Sequence, residues 1–197
     1  WHYSKPALIP RLKSWIAATC PGTKLALTEY NWGPDQGASG ALAQAEALAI
    51  FGREGVDMAH RWVAPEPGSY AEDAFKLFLN YDGTRTRVVG DSVLATSSDA
   101  DALGAYAVRK AGQKVYVLLF NKSTSLQDVT VNFSVPFNGA WQVYRFDGSH
   151  HIAAAGSVTS AVHAALRAAS PGVMVQVEVE TLEQLDEALA AGAKLIL

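Results

Sequence analysis

The chain has 197 residues, of which 49% are hydrophobic and 18% charged, a balance that excludes a disordered polymer and allows one large domain or two small ones. Sixteen basic residues against 19 acidic ones leave a net charge of −3, with no basic stripe for a phosphate backbone, so nucleic acid is not expected as a partner. The single Cys20 excludes an internal disulfide, no Cys/His cluster has zinc spacing, and no apolar run approaches the ~20 residues that cross a bilayer, so no membrane span is expected.

From Pro6 to Ala18 the residues Leu8, Ile9, Leu12, Trp15 and Ile16 recur at helical spacing, which predicts an amphipathic helix ended by Cys20-Pro21-Gly22-Thr23. Lys24 to Thr28 reads as a short buried strand, Ala41 to Gly52 as a second helix, Val56 to Trp62 as a second strand and Tyr70 to Asn80 as a third helix. Alternation of helix and strand implies parallel βα units, but two strands are only an arc of an eight-stranded barrel.

After Tyr81-Asp82-Gly83 the texture changes. Leu103 to Arg109, Lys114 to Asn121, Val129 to Phe133 and Trp141 to Phe146 are strand candidates, with hairpin turns at Gly112-Gln113 and Asn138-Gly139, and together they predict an antiparallel sandwich. Ala-rich helix from Val158 to Ala169, strand from Val173 to Val179, helix from Leu182 to Ala191 and a beginning strand at Leu195 to Leu197 then return to a βα pattern. The start at Trp1, without Met or a secretory leader, suggests a processed, truncated or artificial chain.

The segment with most chemistry is Leu25-Ala26-Leu27-Thr28-Glu29-Tyr30-Asn31-Trp32-Gly33. An apolar run delivers one carboxylate, flanked by aromatic rings, to a strand end, which is where catalytic groups sit in α/β barrels and how a sugar-cleaving enzyme presents a nucleophile. A strand-end Glu that simply meets solvent has the same pattern. Trp62, Tyr30 and Trp32 suit either sugar stacking or packing, Asn31 either orients Glu29 or forms a turn, and His60 is most simply a buried, hydrogen-bonded histidine. The aspartates Asp91, Asp99 and Asp101 could hold a structural calcium ion or be scattered surface charges; no other cofactor is implied.

Several stretches together carry a resemblance: Leu8-Ile9-Pro10-Arg11-Leu12-Lys13-Ser14-Trp15-Ile16, Thr28-Glu29-Tyr30-Asn31-Trp32-Gly33, Gly40-Ala41-Leu42-Ala43-Gln44-Ala45, Ile50-Phe51-Gly52-Arg53-Glu54-Gly55, Arg61-Trp62 and Phe75-Lys76. Over about residues 5–146 the chain resembles family 44 glycoside hydrolases, endo-β-1,4-glucanases of which some cleave xylan. The resemblance implies the C-terminal arc of a (β/α)8 barrel at 1–88, a β-sandwich at 89–148, secretion, and a β-1,4-linked polysaccharide as substrate. It makes Glu29 the nucleophile on the seventh barrel strand, Trp62 a sugar platform, and the mechanism retaining, with a second carboxylate about 5–5.5 Å away as acid/base. In the family that acid/base lies on the fourth strand, and none of Glu54, Asp57, Glu66 or Glu72 matches its position. The chain is therefore expected to be inactive alone and to need the N-terminal part of the barrel, or a second copy, to cover its barrel faces.

From His151 onward the sequence is similar instead to nicotinate-nucleotide pyrophosphorylase, the quinolinate phosphoribosyltransferase of NAD synthesis, which makes 149–197 a βα tail from a second α/β family. Gly148-Ser149-His150-His151 stands where that family has Lys-Asp-Asn-His, so its lysine is missing; Glu178 matches an active-site glutamate, and the chain ends at Leu197 before its acidic partner. Phosphoribosyl transfer is disfavoured, and the joining of two families suggests a chimera. The alternative to the glycanase reading is a non-catalytic β-sandwich fragment that binds carbohydrate or serves as a scaffold.

Overall fold

The computed structural model describes residues 7–111, 114–134 and 142–154 and, in the tail, the backbone of 176–177 and 195–196. The chain divides into two compact units, 1–80 with 85–127 and 81–84 with 128–197. This division cuts through the region from 89 to 148.

The first unit begins with two parallel βα repeats: α1 (Leu8–Thr19), β1 (Ala26–Tyr30), α2 (Ala38–Glu54), β2 (Met58–Arg61) and α3 (Tyr70–Leu79). β1 and β2 pair in parallel, Ala26 opposite Met58 and Tyr30 opposite Arg61. Ile9 of α1 and Ala47 and Phe51 of α2 form a buried cluster against which Leu25, Leu27, Tyr30, Val56 and Ala59 pack. Each helix has a local reason to stop or start. α2 ends in a Schellman motif: Gly55 takes a left-handed φ of 63°, its N–H donates to Gly52 O, and the Val56 N–H reaches back to Phe51 O. α3 begins at Ser69, whose Oγ accepts from Glu72 N while Glu72 Oε2 accepts from Gly68 N, so donors left open by the helix start are satisfied from both directions.

β1 does not alternate regularly. Leu25 and Leu27 face the helices, and strict period two would send residue 29 into the same core. A bulge between Leu27 and Tyr30 shifts the phase, so that Thr28 and Glu29 are both exposed and Tyr30 is the next residue to turn inward.

The antiparallel part of this unit is β3 (Asp91–Val93), β4 (Leu103–Lys110) and β5 (Lys114–Asn121) in the order β3-β4-β5. Gly104, Tyr106, Leu118 and Phe120 share one face, paired Gly104 with Phe120 and Tyr106 with Leu118, and are buried. α2 meets this sheet through one polar cluster: Tyr106 Oη donates to Glu46 Oε1 at 3.1 Å, Lys122 Nζ binds the same oxygen at 3.0 Å, and the Arg53 guanidinium lies 5.2 Å from the Tyr106 ring centroid. A Cβ at residue 104 would stand 2.2 Å from Glu46 Oε1, so any side chain there would displace the end of the Glu46 side chain from this cluster.

In the second unit β6 (Tyr144–Asp147) and β7 (His150–Ala154) form an antiparallel hairpin, and the Tyr144 ring packs on Tyr81 at 4.7 Å between centroids. In the tail β8 (Gln176–Val177) pairs in parallel with β9 (Leu195–Ile196). Both short strands fall inside the stretches the sequence predicts as strands. The predicted helices at 158–169 and 182–191 and the turns at 112–113 and 138–139 lie outside the described residues.

Two expectations need correction. Val129 to Phe133 is not a strand: its backbone is irregular, and Val129, Val131 and Phe133 are 40%, 42% and 36% exposed. His60 is exposed rather than buried, because it points with Met58 to the side of the β1–β2 pair that the helices leave bare. The short strands β3 and β7 are additions the pattern did not announce.

Burial, with the Glu46 carboxylate beside it, pushes the Tyr106 hydroxyl up to about 12. A folded-state value above the ordinary value near 10 means that the associated stability is complete below about pH 10 and is lost as pH rises toward 12. Denaturant unfolding of Tyr106→Phe should therefore show a cost of about 0.5–1.5 kcal/mol at neutral pH and a shallower alkaline decline than the parent chain. An equally steep decline would mean that Tyr106 does not titrate from inside this cluster.

Candidate active site

Glu29 is the penultimate residue of β1, at its C-terminal end, and its side chain is exposed. Among the described residues its carboxylate has no hydrogen-bond or ion-pair partner, so it is free to meet a ligand. Tyr30, next to it, is held on the opposite side. Its ring meets Phe51 edge-on at 5.2 Å and Trp32 at 6.3 Å, and its hydroxyl accepts from Gln44 Nε2 at 3.0 Å. Of the two aromatic roles open to Tyr30, the packing serves the supporting one.

The loops that follow β1 and β2 are tied together beside Glu29. The Trp62 N–H donates to Tyr30 O at 2.8 Å, which carries the pairing one residue beyond β2. Asn31 Nδ2 donates to Trp62 O, and Asn31 Oδ1 accepts from the Gly33 N–H at 3.1 Å. Asn31 thus closes its own turn and reaches across to the neighbouring loop, and none of these bonds goes to Glu29. Trp62 and Trp32 remain 62% and 52% exposed, enough ring surface at the strand ends to receive a flat apolar face. The Trp62–Val63 peptide bond is cis.

Sequence reasoning gave Arg61 and Asp35 no role. The Arg61 side chain is 6% exposed; it donates to Asp35 Oδ1, to Val63 O and, at 3.4 Å, to Asn31 Oδ1. Asp35 Oδ2 also accepts from the Glu66 N–H, and Asp35 O from the Ala71 N–H. One buried ion pair therefore joins the loop after Glu29, the loop after Trp62 and the start of α3. The available signal was an arginine at the end of a strand whose neighbouring loop offers an aspartate, a pattern too common to identify a network by itself.

Among the described residues no three His, Cys, Asp or Glu side chains converge as a metal site requires. Asp99 Oδ1 is occupied by the backbone N–H groups of Asp101 and Ala102, an ordinary turn. No helix among them is long and apolar enough to cross a membrane.

Solved structures resemble this chain over much of its length. A family 44 glycoside hydrolase, an endoglucanase from Clostridium acetobutylium, matches 75% of this chain with 34% identity and a TM-score of 0.64. Ahead of its tail, the chain resembles family 44 glycoside hydrolases. A bifunctional glucanase-xylanase from a metagenome library matches 60% of the chain with 45% identity and a TM-score of 0.56. Endoglucanase A of Paenibacillus lautus is 36% identical over 145 residues, 73% of this chain. The chain spans 19% of that glycoside hydrolase, and 30% and 23% of the two structures. Residues 148–197 match a different family, the C-terminal domain of quinolinate phosphoribosyl transferase. The change of family falls in the turn between β6 and β7, outside the glycoside hydrolase-like site.

Asp35→Ala should cost about 3–5 kcal/mol in denaturant unfolding, because it strands the buried Arg61 guanidinium. Adding Arg61→Met to that variant should recover part of the loss. Additive costs in the double variant would show that the two side chains do not act as a pair.

Proposed function

We propose that this chain is part of a retaining endo-β-1,4-glycanase, with Glu29 as the nucleophile. The reading is carried by one observation: the bulge in β1 presents a carboxylate that has no partner among the described residues at the C-terminal end of a parallel strand, beside the exposed rings of Trp32 and Trp62. A Glu29 oxygen would bond to the anomeric carbon while the glycosidic oxygen leaves with its electron pair and takes a proton from an acid. By the family resemblance, none of Glu54, Asp57, Glu66 and Glu72 matches the position of that acid. Loss of general acid catalysis removes roughly 10²–10⁴-fold, so the chain alone would turn over native polysaccharide little or not at all.

The substrate is a β-1,4-linked glucan, with xylan as a further candidate because one similar structure is a glucanase-xylanase. Trp62 and Trp32 serve as platforms for sugar faces; Asn31 fixes the loops, and Tyr30 acts from the core side. The bare face with Ala26, Thr28, Met58 and His60 is covered by the N-terminal strands of a barrel, or by a second copy. Secretion accords with an insoluble or polymeric substrate. The same two exposed tryptophans also suit a second reading, a non-catalytic piece that binds carbohydrate.

An activated substrate separates the two. Departure of dinitrophenolate needs no acid, so 2,4-dinitrophenyl 2-deoxy-2-fluoro-β-cellobioside should label the chain covalently, with the added mass on the peptide that contains Glu29 and none in Glu29→Gln. Carboxymethyl cellulose should remain uncut. Cello-oligosaccharides that quench tryptophan fluorescence without any labelling would favour the binding reading. Rapid cleavage of the polymer by the isolated chain, abolished in Glu29→Gln, would overturn the missing acid.

A further inference from the structure

Gln44 is 2% exposed within an Ala-rich helix; among the described residues its Oε1 has no partner and its one side-chain hydrogen bond is from Nε2 to the Tyr30 hydroxyl. A methionine of the same length would fill this space without desolvating an amide, so the position is costly unless the direction of that bond matters. It reaches the residue that decides the phase of β1. Tyr30 is the first inward residue after the bulge, and the peptide that joins it to Glu29 sets where the carboxylate stands. Glu29 is already kept out of the core by its charge. What charge does not set is the depth and rotation of the Tyr30 ring.

Phe51 meets the edge of that ring at 5.2 Å, the Trp32 ring lies tilted at 6.3 Å and Trp62 N–H holds the Tyr30 carbonyl at 2.8 Å, while Gln44 holds the hydroxyl at the far end of the side chain. Ring contacts are non-directional, and the hydroxyl bond fixes the depth and rotation they leave free. Resting on the assignment of Glu29 as nucleophile, we propose that Gln44 is a positioning residue: its hydrogen bond to Tyr30 latches the bulge and so aims Glu29. Attack at an anomeric carbon tolerates little misplacement, and an error of 1 Å costs on the order of 10²-fold.

The test uses the full chain with Gln44→Met, Tyr30→Phe and the double variant. The maximal rate of labelling by the fluorinated cellobioside should fall about ten- to a hundredfold in each single variant, with little change in the concentration giving half that rate. The double variant should fall no further, since both singles break one bond. Thermal midpoints should be unchanged or raised in Gln44→Met, a result a purely structural role would not combine with slow labelling. Folded Gln44→Met that labels within about twofold of the parent rate would overturn the latch. If the parent chain is not labelled at all, the nucleophile assignment fails separately. The backbone ¹⁵N resonances of Thr28, Glu29 and Tyr30 then decide: displacement in Gln44→Met supports the latch, and unchanged positions overturn it.

Discussion

The extra residue in β1 is the constraint from which the site follows. Side chains along a strand alternate between faces, and Leu25 and Leu27 are drawn inward by the cluster of Ile9, Ala47 and Phe51. Continued alternation would bury a carboxylate next to Phe51 and turn Tyr30 to solvent, losing aromatic area and desolvating a charge together. The bulge exchanges one regular ladder position for an arrangement in which both residues meet suitable surroundings. The exposure of Glu29 is thus a result of packing on the other side of the strand, not of the strand end alone.

Parallel strands bring their C-terminal ends to one edge, but they do not fix the loops that leave it. Here that is done by contacts between residues about 30 apart in sequence: Arg61 with Asp35, and Asn31 with the Trp62 carbonyl. A buried arginine is tolerable because its two terminal nitrogens have acceptors, while its Nε has none among the described residues. The arrangement favours rigidity over stability. A rigid edge is what the proposed nucleophile and sugar platforms would require, since their relative placement would matter more than the strength of any one contact.

What the sequence disclosed divides along the same line. The βα order, the α3 limits and the pairing of Leu103–Arg109 with Lys114–Asn121 are visible because period, caps and turns are local properties. Glu29, Asn31 and Trp62 were visible as residue types at strand ends. The phase of β1 was not, because a bulge depends on which neighbours compete for the core. The exposure of His60 and the irregular backbone of Val129 to Phe133 were missed for a related reason: alternation states which side chains could share a face, and only a neighbouring element decides whether that face is covered. Arg61 and Asp35 required knowing which loops meet.

The hairpin at the change of family shows how little sequence agreement strand pairing needs. β6 lies before residue 148 and β7 lies within the phosphoribosyl transferase-like stretch, yet Tyr144 pairs with Ala154 and Arg145 with Ala153. The ladder is made of backbone groups, which every residue except proline supplies. Its turn is closed by Asp147, whose Oδ1 accepts from the Ser149 N–H at 2.8 Å and contacts His150 Nδ1 at 2.9 Å, so one aspartate from the first stretch organises two residues of the second. The edge at the ends of β1 and β2 has no such tolerance, for there side chains from both loops meet at fixed positions. A junction placed in a hairpin turn is therefore structurally permissive, whereas the same junction between Glu29 and Trp62 would separate the groups whose mutual placement constitutes the site.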